Sequence, residues 1–316
     1  MLFSNDNVPV REENKPRLIP TEGGGRTSER LYCRDPFILP YNGRYYLYHR
    51  SDDDGRHGIL CSVSEDLENW SKPVTVFPVA EGFHGVKDCF WAPECHYYKG
   101  NFYIFTSVYS SVYRHRVISV YRADNPLGPF TDIAGGCITP PDWDTIDGTL
   151  YIDEGGQPWM VFVHEWTSMP DGNGAMCAVR LAEDLSHFID EPVHLFFAKD
   201  VPWATKGITD GPFLYKTEEG SLLMLWSNFS EKGYVVALAK SESGCITGPW
   251  THADKLLYQK GLRPHFITDG GHAMLFRTFT GETMISLHGP NTARNGDYEH
   301  VLLYPIVEKN GWIEIA

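Results

Sequence analysis

The chain has 316 residues, 42% hydrophobic, 14% aromatic and 22% charged, a globular composition with too much apolar surface to stay unfolded. Its 30 glycines and 21 prolines punctuate too densely for a helical bundle and point to short strands joined by turns. Against 27 basic residues stand 41 acidic ones, and the net charge of −14 repels phosphate backbones and anionic membranes, so nucleic acid and membrane are excluded as expected partners.

In chain order, the segment Met1–Asp6 has no basic stretch followed by an apolar core, and nowhere do 18 uncharged apolar residues run together. A cytoplasmic protein is expected, or an exported one whose leader has been removed. The seven cysteines (33, 61, 89, 95, 137, 177 and 245) are odd in number and form no CxxC pair, the pattern of reduced, buried thiols.

From residue 35 the sequence repeats itself. Hairpin-like pieces open at Asp35-Pro-Phe-Ile-Leu, Trp91-Ala-Pro-Glu-Cys, Asp147-Gly-Thr-Leu-Tyr, Asp210-Gly-Pro-Phe-Leu and Asp269-Gly-Gly-His-Ala. Each runs through a short apolar strand and a Gly turn into a second strand rich in aromatic and branched residues. The turn glycines 43, 100, 156, 220 and 281 lie 57, 56, 64 and 61 residues apart. Behind each of the first four hairpins comes a further strand and a turn, with Asp66-Leu67 and Asp184-Leu185 in two cases and Gly128-Pro129-Phe130 and Gly248-Pro249-Trp250 in the others. Five units of about four strands predict an all-β, five-bladed β-propeller spanning residues 1–316 as one domain. Residues 1–30 form an N-terminal extension that packs on the propeller or closes it. Two stacked sandwiches are the competing architecture, disfavoured because the period never breaks.

A propeller gathers equivalent positions of its blades around one axis, so Asp35, Asp147 and Asp210 are expected at a single mouth. An Asp before Gly or Pro is also ordinary turn chemistry; several in register are not. Converging carboxylates beside aromatic rings suit glycosidic bond cleavage, in which one carboxylic acid protonates the leaving oxygen and one carboxylate activates water or attacks. A third raises the acid's pKa by like-charge repulsion. Phe37, Trp91 and Trp226 near the hairpin starts are candidate sugar platforms.

These motifs, Arg34-Asp35-Pro36-Phe37, Trp91-Ala92-Pro93-Glu94, Ile146-Asp147-Gly148, Asp210-Gly211-Pro212-Phe213 and Gly270-Gly271-His272, resemble the blade starts of glycoside hydrolase family 43 in order and spacing, from about Arg34 to Asn291. The resemblance implies a five-bladed propeller that hydrolyses arabinofuranosides, xylosides and related bonds with inversion. It implies Asp35 as general base, Asp147 as the residue that orients the acid and raises its pKa, and Trp91 in the sugar pocket. His272 matches a histidine near the channel axis that in many members holds calcium or sodium. No cofactor is required. The general acid of the family is usually the Glu of a Glu-Gly-Pro sequence; here that place is Asp210, one carbon shorter, which is expected to serve as the acid, with Glu165 or Glu94 as the other carboxyls that could serve instead.

Arg34, Glu94 and His288 complete the expected substrate-binding set, with Asn291 able to reach the pocket from the fifth blade. Asp52-Asp53-Asp54-Gly55 reads as a solvated hairpin loop, and Cys89, Cys95 and His96 as packing around Trp91. The expected activity is exo-acting hydrolysis of terminal arabinofuranose or xylose from an oligosaccharide or polysaccharide, with no expectation about oligomeric state. The alternatives are a non-catalytic glycan-binding propeller and a phosphorolytic enzyme, which needs Arg34, Arg263, His265 and Arg277 gathered at the mouth.

Overall fold

The computed structural model describes residues 18–50, 58–290 and 299–316. The Asp52–Gly55 loop and Asn291 lie outside the described residues. Each of the first four repeats forms a four-stranded antiparallel sheet, and the fifth blade belongs to a six-stranded one. Blade one consists of Phe37–Tyr41, Arg44–Arg50, Ile59–Ser64 and Val74–Phe77. Blade two consists of Gly85–Tyr98, Asn101–Ser110, Arg116–Ala123 and Thr131–Asp132. Blade three is Thr145–Ile152, Pro158–His164, Ala175–Arg180 and Val193–Phe197, and blade four is Asp210–Lys216, Leu222–Ser230, Gly233–Ser241 and Trp250–His252.

The fifth blade is built from both ends of the described chain. Its inner strands, Gly271–Arg277, Thr283–Pro290 and Glu299–Lys309, are followed outward by Arg26–Tyr32, which pairs antiparallel with Glu299–Lys309. Ile19–Pro20 lies beyond it, and Trp312–Ile315 pairs with the far half of Glu299–Lys309. The innermost strands touch in the order blade one, two, three, four, five and back to one, so the molecule is a closed five-bladed β-propeller.

The hairpin turns follow from local chemistry. Asn42-Gly43 (φ +48°, +75°) and Lys99-Gly100 (φ +47°, +83°) are two-residue turns with both residues left-handed, the type whose twist matches the flanking strands. A side chain at any of the five turn glycines meets nothing, so glycine is needed there for its backbone freedom and not for space. Leu67 and Leu185, in the two Asp-Leu turns, share a φ of +63° and are buried, which makes these pieces structural equivalents.

Hydrophobic clusters fill the spaces between neighbouring blades. A second strand packed on both faces reads as an unbroken apolar run, as in Leu223-Met224-Leu225-Trp226, where alternation gives no clue to which side chain faces a ligand. Trp226, expected at the sugar pocket, is a case in point. It is wholly buried between blades three and four, 5.3 Å from Phe196 and 5.4 Å from Trp203, and holds the blades together instead.

Candidate active site

Every inner strand carries the same backbone kink within it or just before it. Asp35, Ala92, Asp147, Gly211 and His272 have φ of +50°, +42°, +56°, +51° and +52°. The pairing register slips at this point in blades two to five. Such β-bulges with left-handed residues re-aim side chains at functional rims, and each non-glycine residue held this way costs ~1–3 kcal/mol of strain. The equivalent positions therefore differ from those expected. In blade two the ring residue is Ala92 rather than Trp91, in blade four Gly211 rather than Asp210, and in blade five His272 rather than Asp269. Asp269 accepts the Tyr234 amide instead, at 3.0 Å.

Four of the five kinks are held by a side chain from the preceding blade. Ser107 Oγ accepts the Asp147 amide at 2.9 Å, Ser227 Oγ accepts the His272 amide at 2.8 Å, and Asp147 Oδ2 accepts the Gly211 amide at 3.0 Å. His288 Nδ1 lies 3.2 Å from the Asp35 amide and 3.2 Å from Asp35 Oδ1, so it accepts from the amide when neutral and donates to the carboxylate when protonated. Gly211 is constrained further, since a Cβ there falls 2.8 Å from the His272 ring.

Within this frame the acids Asp35, Asp147 and Asp210 do meet. His272 Nδ1 sits 3.2 Å from Asp35 Oδ1 and 3.6 Å from Asp147 Oδ2, bridging the two. Burial alone raises the Asp35 pKa, but His272, His288 and Arg34 outweigh it and hold this carboxyl well below the usual range. Asp147 goes the other way: burial and the Asp35 charge push it up to about 6 against His272 and the Gly211 amide. Asp210 is pushed up to about 7, by burial and then by Asp147, although Tyr234 donates its hydroxyl to Asp210 Oδ2 at 2.9 Å. Burial lowers the His272 pKa, yet the surrounding carboxylates carry it above its ordinary value. One site thus holds an ionised carboxylate and a carboxyl that stays protonated near neutrality, the division of labour an acid–base pair requires.

The remaining expected residues divide. Arg34 is at the mouth, 3.8 Å from Asp35 Oδ2 and paired with Glu299 at 3.1 Å. Trp91 is half-buried, but the Arg116 guanidinium lies 3.4 Å from its ring centre, so one face of the expected platform is already covered. Phe37 packs into the core with its ring edge-on to His96, and Glu94 is buried with its carboxylate 3.2 Å from His96 Nε2. His288, expected to touch substrate, is buried against Asp35 and stacks on Tyr234.

For a metal, His272 lacks company: its Nδ1 is engaged with Asp35 and Asp147, and among the described residues no three His, Cys, Asp or Glu side chains converge to hold an ion. The cluster that phosphorolysis needs is not assembled either, because Arg263 binds the carbonyls of Ile315 and Ala316 and Arg277 ends the strand that His272 opens from the opposite side.

Three participants were not foreseen. Tyr234, Ser107 and Ser227 lie on second and third strands, and only an alignment of the mouth-side ends of those strands picks out the Tyr234 hydroxyl. Glu165, foreseen only as a substitute donor, follows the strand Pro158–His164 and is half-buried at the mouth. Burial, then Asp210, Asp147 and Asp144, push its pKa up to about 8 against the pull of Arg116.

The sequence model of "Glycosyl hydrolases family 43" matches residues 30–313. An extracellular exo-α-(1→5)-L-arabinofuranosidase of Cellvibrio japonicus is 25% identical over 250 residues, 71% of this chain and 67% of that protein. An arabinoxylan arabinofuranohydrolase of Bacillus subtilis is 29% identical over 143 residues, 37% of this chain, which spans only 27% of that protein's length. The crystal structure of an endo-arabinase from Bacteroides thetaiotaomicron superposes with a TM-score of 0.77 at 37% identity, covering 90% of this chain and 97% of that one. With the propeller, the ring of kinks and the acids in place, the chain belongs to glycosyl hydrolase family 43.

Proposed function

We propose that this protein is an inverting glycoside hydrolase that releases terminal pentose residues, α-L-arabinofuranose or β-xylose, from plant-type glycans. Asp35 acts as general base towards water, Asp147 tunes its neighbours, and the acid side is built on Asp210. The observation that carries this reading is the meeting of three acids at one mouth, His272 Nδ1 lying 3.2 Å from Asp35 and 3.6 Å from Asp147 while Tyr234 donates to Asp210 at 2.9 Å, with the Asp35 pKa shifted down and the Asp210 pKa shifted up to about 7. Arabinose is the first sugar to test, since the three relatives described above are named for arabinan or arabinofuranoside cleavage. The named relatives include both an exo-acting and an endo-acting enzyme, and we favour exo-action. We also favour export over a cytoplasmic location, because the Cellvibrio relative is extracellular by name. The described residues contain no helix long and apolar enough to cross a membrane.

The test is hydrolysis of aryl α-L-arabinofuranosides and aryl β-xylosides, with the product anomer followed by NMR. The donor must be protonated and its pKa is raised, so it is in the active form below about 7–8 and is lost above. Asp35 remains ionised across the working range. The expected profile of kcat/KM is a plateau through mildly acidic pH with a fall on the alkaline side between about 7 and 8. No turnover on either substrate class, or a product of retained configuration, rules the proposal out.

A further inference from the structure

The proposed reaction leaves one physical difficulty. The acid-side residue is an aspartate, whose carboxyl stands roughly 1.5 Å nearer its own backbone than a glutamate's would, and proton donation is sensitive to displacement on that scale. Asp210 is also tied down, with Oδ2 taken by Tyr234.

Glu165 stands where a longer arm is needed. It opens the loop 165–174 that joins the second and third strands of blade three; the corresponding connection in blade four is only the two residues 231–232. That loop is fastened on both sides to the segments that deliver the catalytic acids. On the Asp147 side, the Glu165 amide donates to the Asp144 carbonyl at 2.8 Å, the Asp144 amide to Ser168 Oγ at 2.9 Å, and Thr167 Oγ1 to Asp144 Oδ2 at 2.6 Å. On the Asp210 side, the Gly174 amide donates to the Gly207 carbonyl at 2.8 Å, and the Lys199 amide to Asn173 Oδ1 at 3.1 Å. The loop's first residue is thereby set between the blade starts of Asp147 and Asp210, close enough for both charges to act on its carboxyl.

Other carboxyls nearby are already committed. Asp144 accepts the Arg116 amide and the Thr167 hydroxyl, and Glu94 is buried on His96. Glu165 is half-exposed, with no hydrogen bond to its carboxyl among those between described residues. The groups that face it are Asp210, Asp147, Asp144 and the Arg116 guanidinium. Burial first, and then three acids against one cation, push its pKa up to about 8 and favour the protonated form a donor needs.

We propose that Glu165 completes the acid, giving its proton to the glycosidic oxygen while Asp210 acts as the positioning residue that keeps Glu165 protonated. This rests on the hydrolase reading above and deepens it. As the bond from the anomeric carbon to the leaving oxygen breaks, the Glu165 O–H proton passes to that oxygen. Water adds to the anomeric carbon and yields its proton to Asp35, and exchange with solvent restores both carboxyls.

The experiment compares wild type, Glu165→Gln and Asp210→Asn on two substrates, 2,4-dinitrophenyl α-L-arabinofuranoside, whose phenol leaves without a proton, and α-1,5-arabinobiose, whose sugar cannot. Glu165→Gln is expected to lose ~10²–10³-fold in kcat/KM on the disaccharide, the range of a lost general acid, and less than tenfold on the dinitrophenyl substrate, with an unchanged cooperative melt. Asp210→Asn is expected to keep the wild-type ratio between the two substrates at mildly acidic pH and to move the alkaline fall to lower pH, because Glu165 loses a repelling neighbour. Should Glu165→Gln fail to fold, Glu165→Asp makes the same comparison by shortening the arm. If Asp210→Asn shows the leaving-group dependence and Glu165→Gln does not, Asp210 is the sole donor; this inference falls and the hydrolase reading survives. If wild type cleaves neither these substrates nor the corresponding β-xylosides, both fall together.

Discussion

Replacing Asp35 with asparagine is expected to lower kcat/KM by ~10³–10⁴-fold, and by the same factor whatever the leaving group, at the upper end of what positioned general bases contribute. The amide keeps the shape of the carboxylate but cannot accept a proton from water. Uniformity across leaving groups is the signature of a base, because attack is impaired equally whether departure needs help or not. His272 Nδ1 and His288 Nδ1, both 3.2 Å from Oδ1, lose an anionic partner, so a modest drop in melting temperature accompanies the change while the propeller still forms. Added azide, a nucleophile that needs no deprotonation, is expected to restore turnover and give an inverted glycosyl azide. Retention of a tenth of wild-type activity would show that another group activates the water.

The second large effect is expected at Asp147→Asn. The substitution keeps an oxygen able to accept the Gly211 amide, now at 3.0 Å, so the kink at blade four survives. What disappears is a buried negative charge that pushes up Asp210 and Glu165. With that repulsion removed, both carboxyls deprotonate at lower pH. The alkaline limb should move down by about one unit, equivalent to ~1.4 kcal/mol, and kcat/KM at pH 8 should fall ~10–100-fold while the activity near pH 5 falls less. A limb that stays in place or moves up would mean that Asp147 serves only as a strut.

Much of this was legible in the residues, and the exceptions have physical causes. The turn glycines 43, 100, 156, 220 and 281 mark the blades because a left-handed turn admits few alternatives, and their spacing was enough to predict the propeller. Ring membership was harder to read. The kink tolerates Asp, Ala, Gly or His according to what each blade presents, so matching Asp to Asp slides the register by one residue in blades two and four and by three in blade five. Trp226 misled because a strand packed on both sides carries no alternation. Arg116 on Trp91 and Tyr234 on Asp210 are contacts between elements far apart in the chain, and Glu165 belongs to a loop whose length has no counterpart in blade four, beyond the reach of any repeat.

Because four of the five kinks are gripped by the blade before them, basicity at the mouth is a property of the ring. Ser227 in blade four carries no charge, yet its hydroxyl seats His272 in blade five, and His272 helps hold down the proton affinity of Asp35 in blade one. Drift at such hydroxyls offers evolution a dial for the working pH that leaves all the carboxylates untouched.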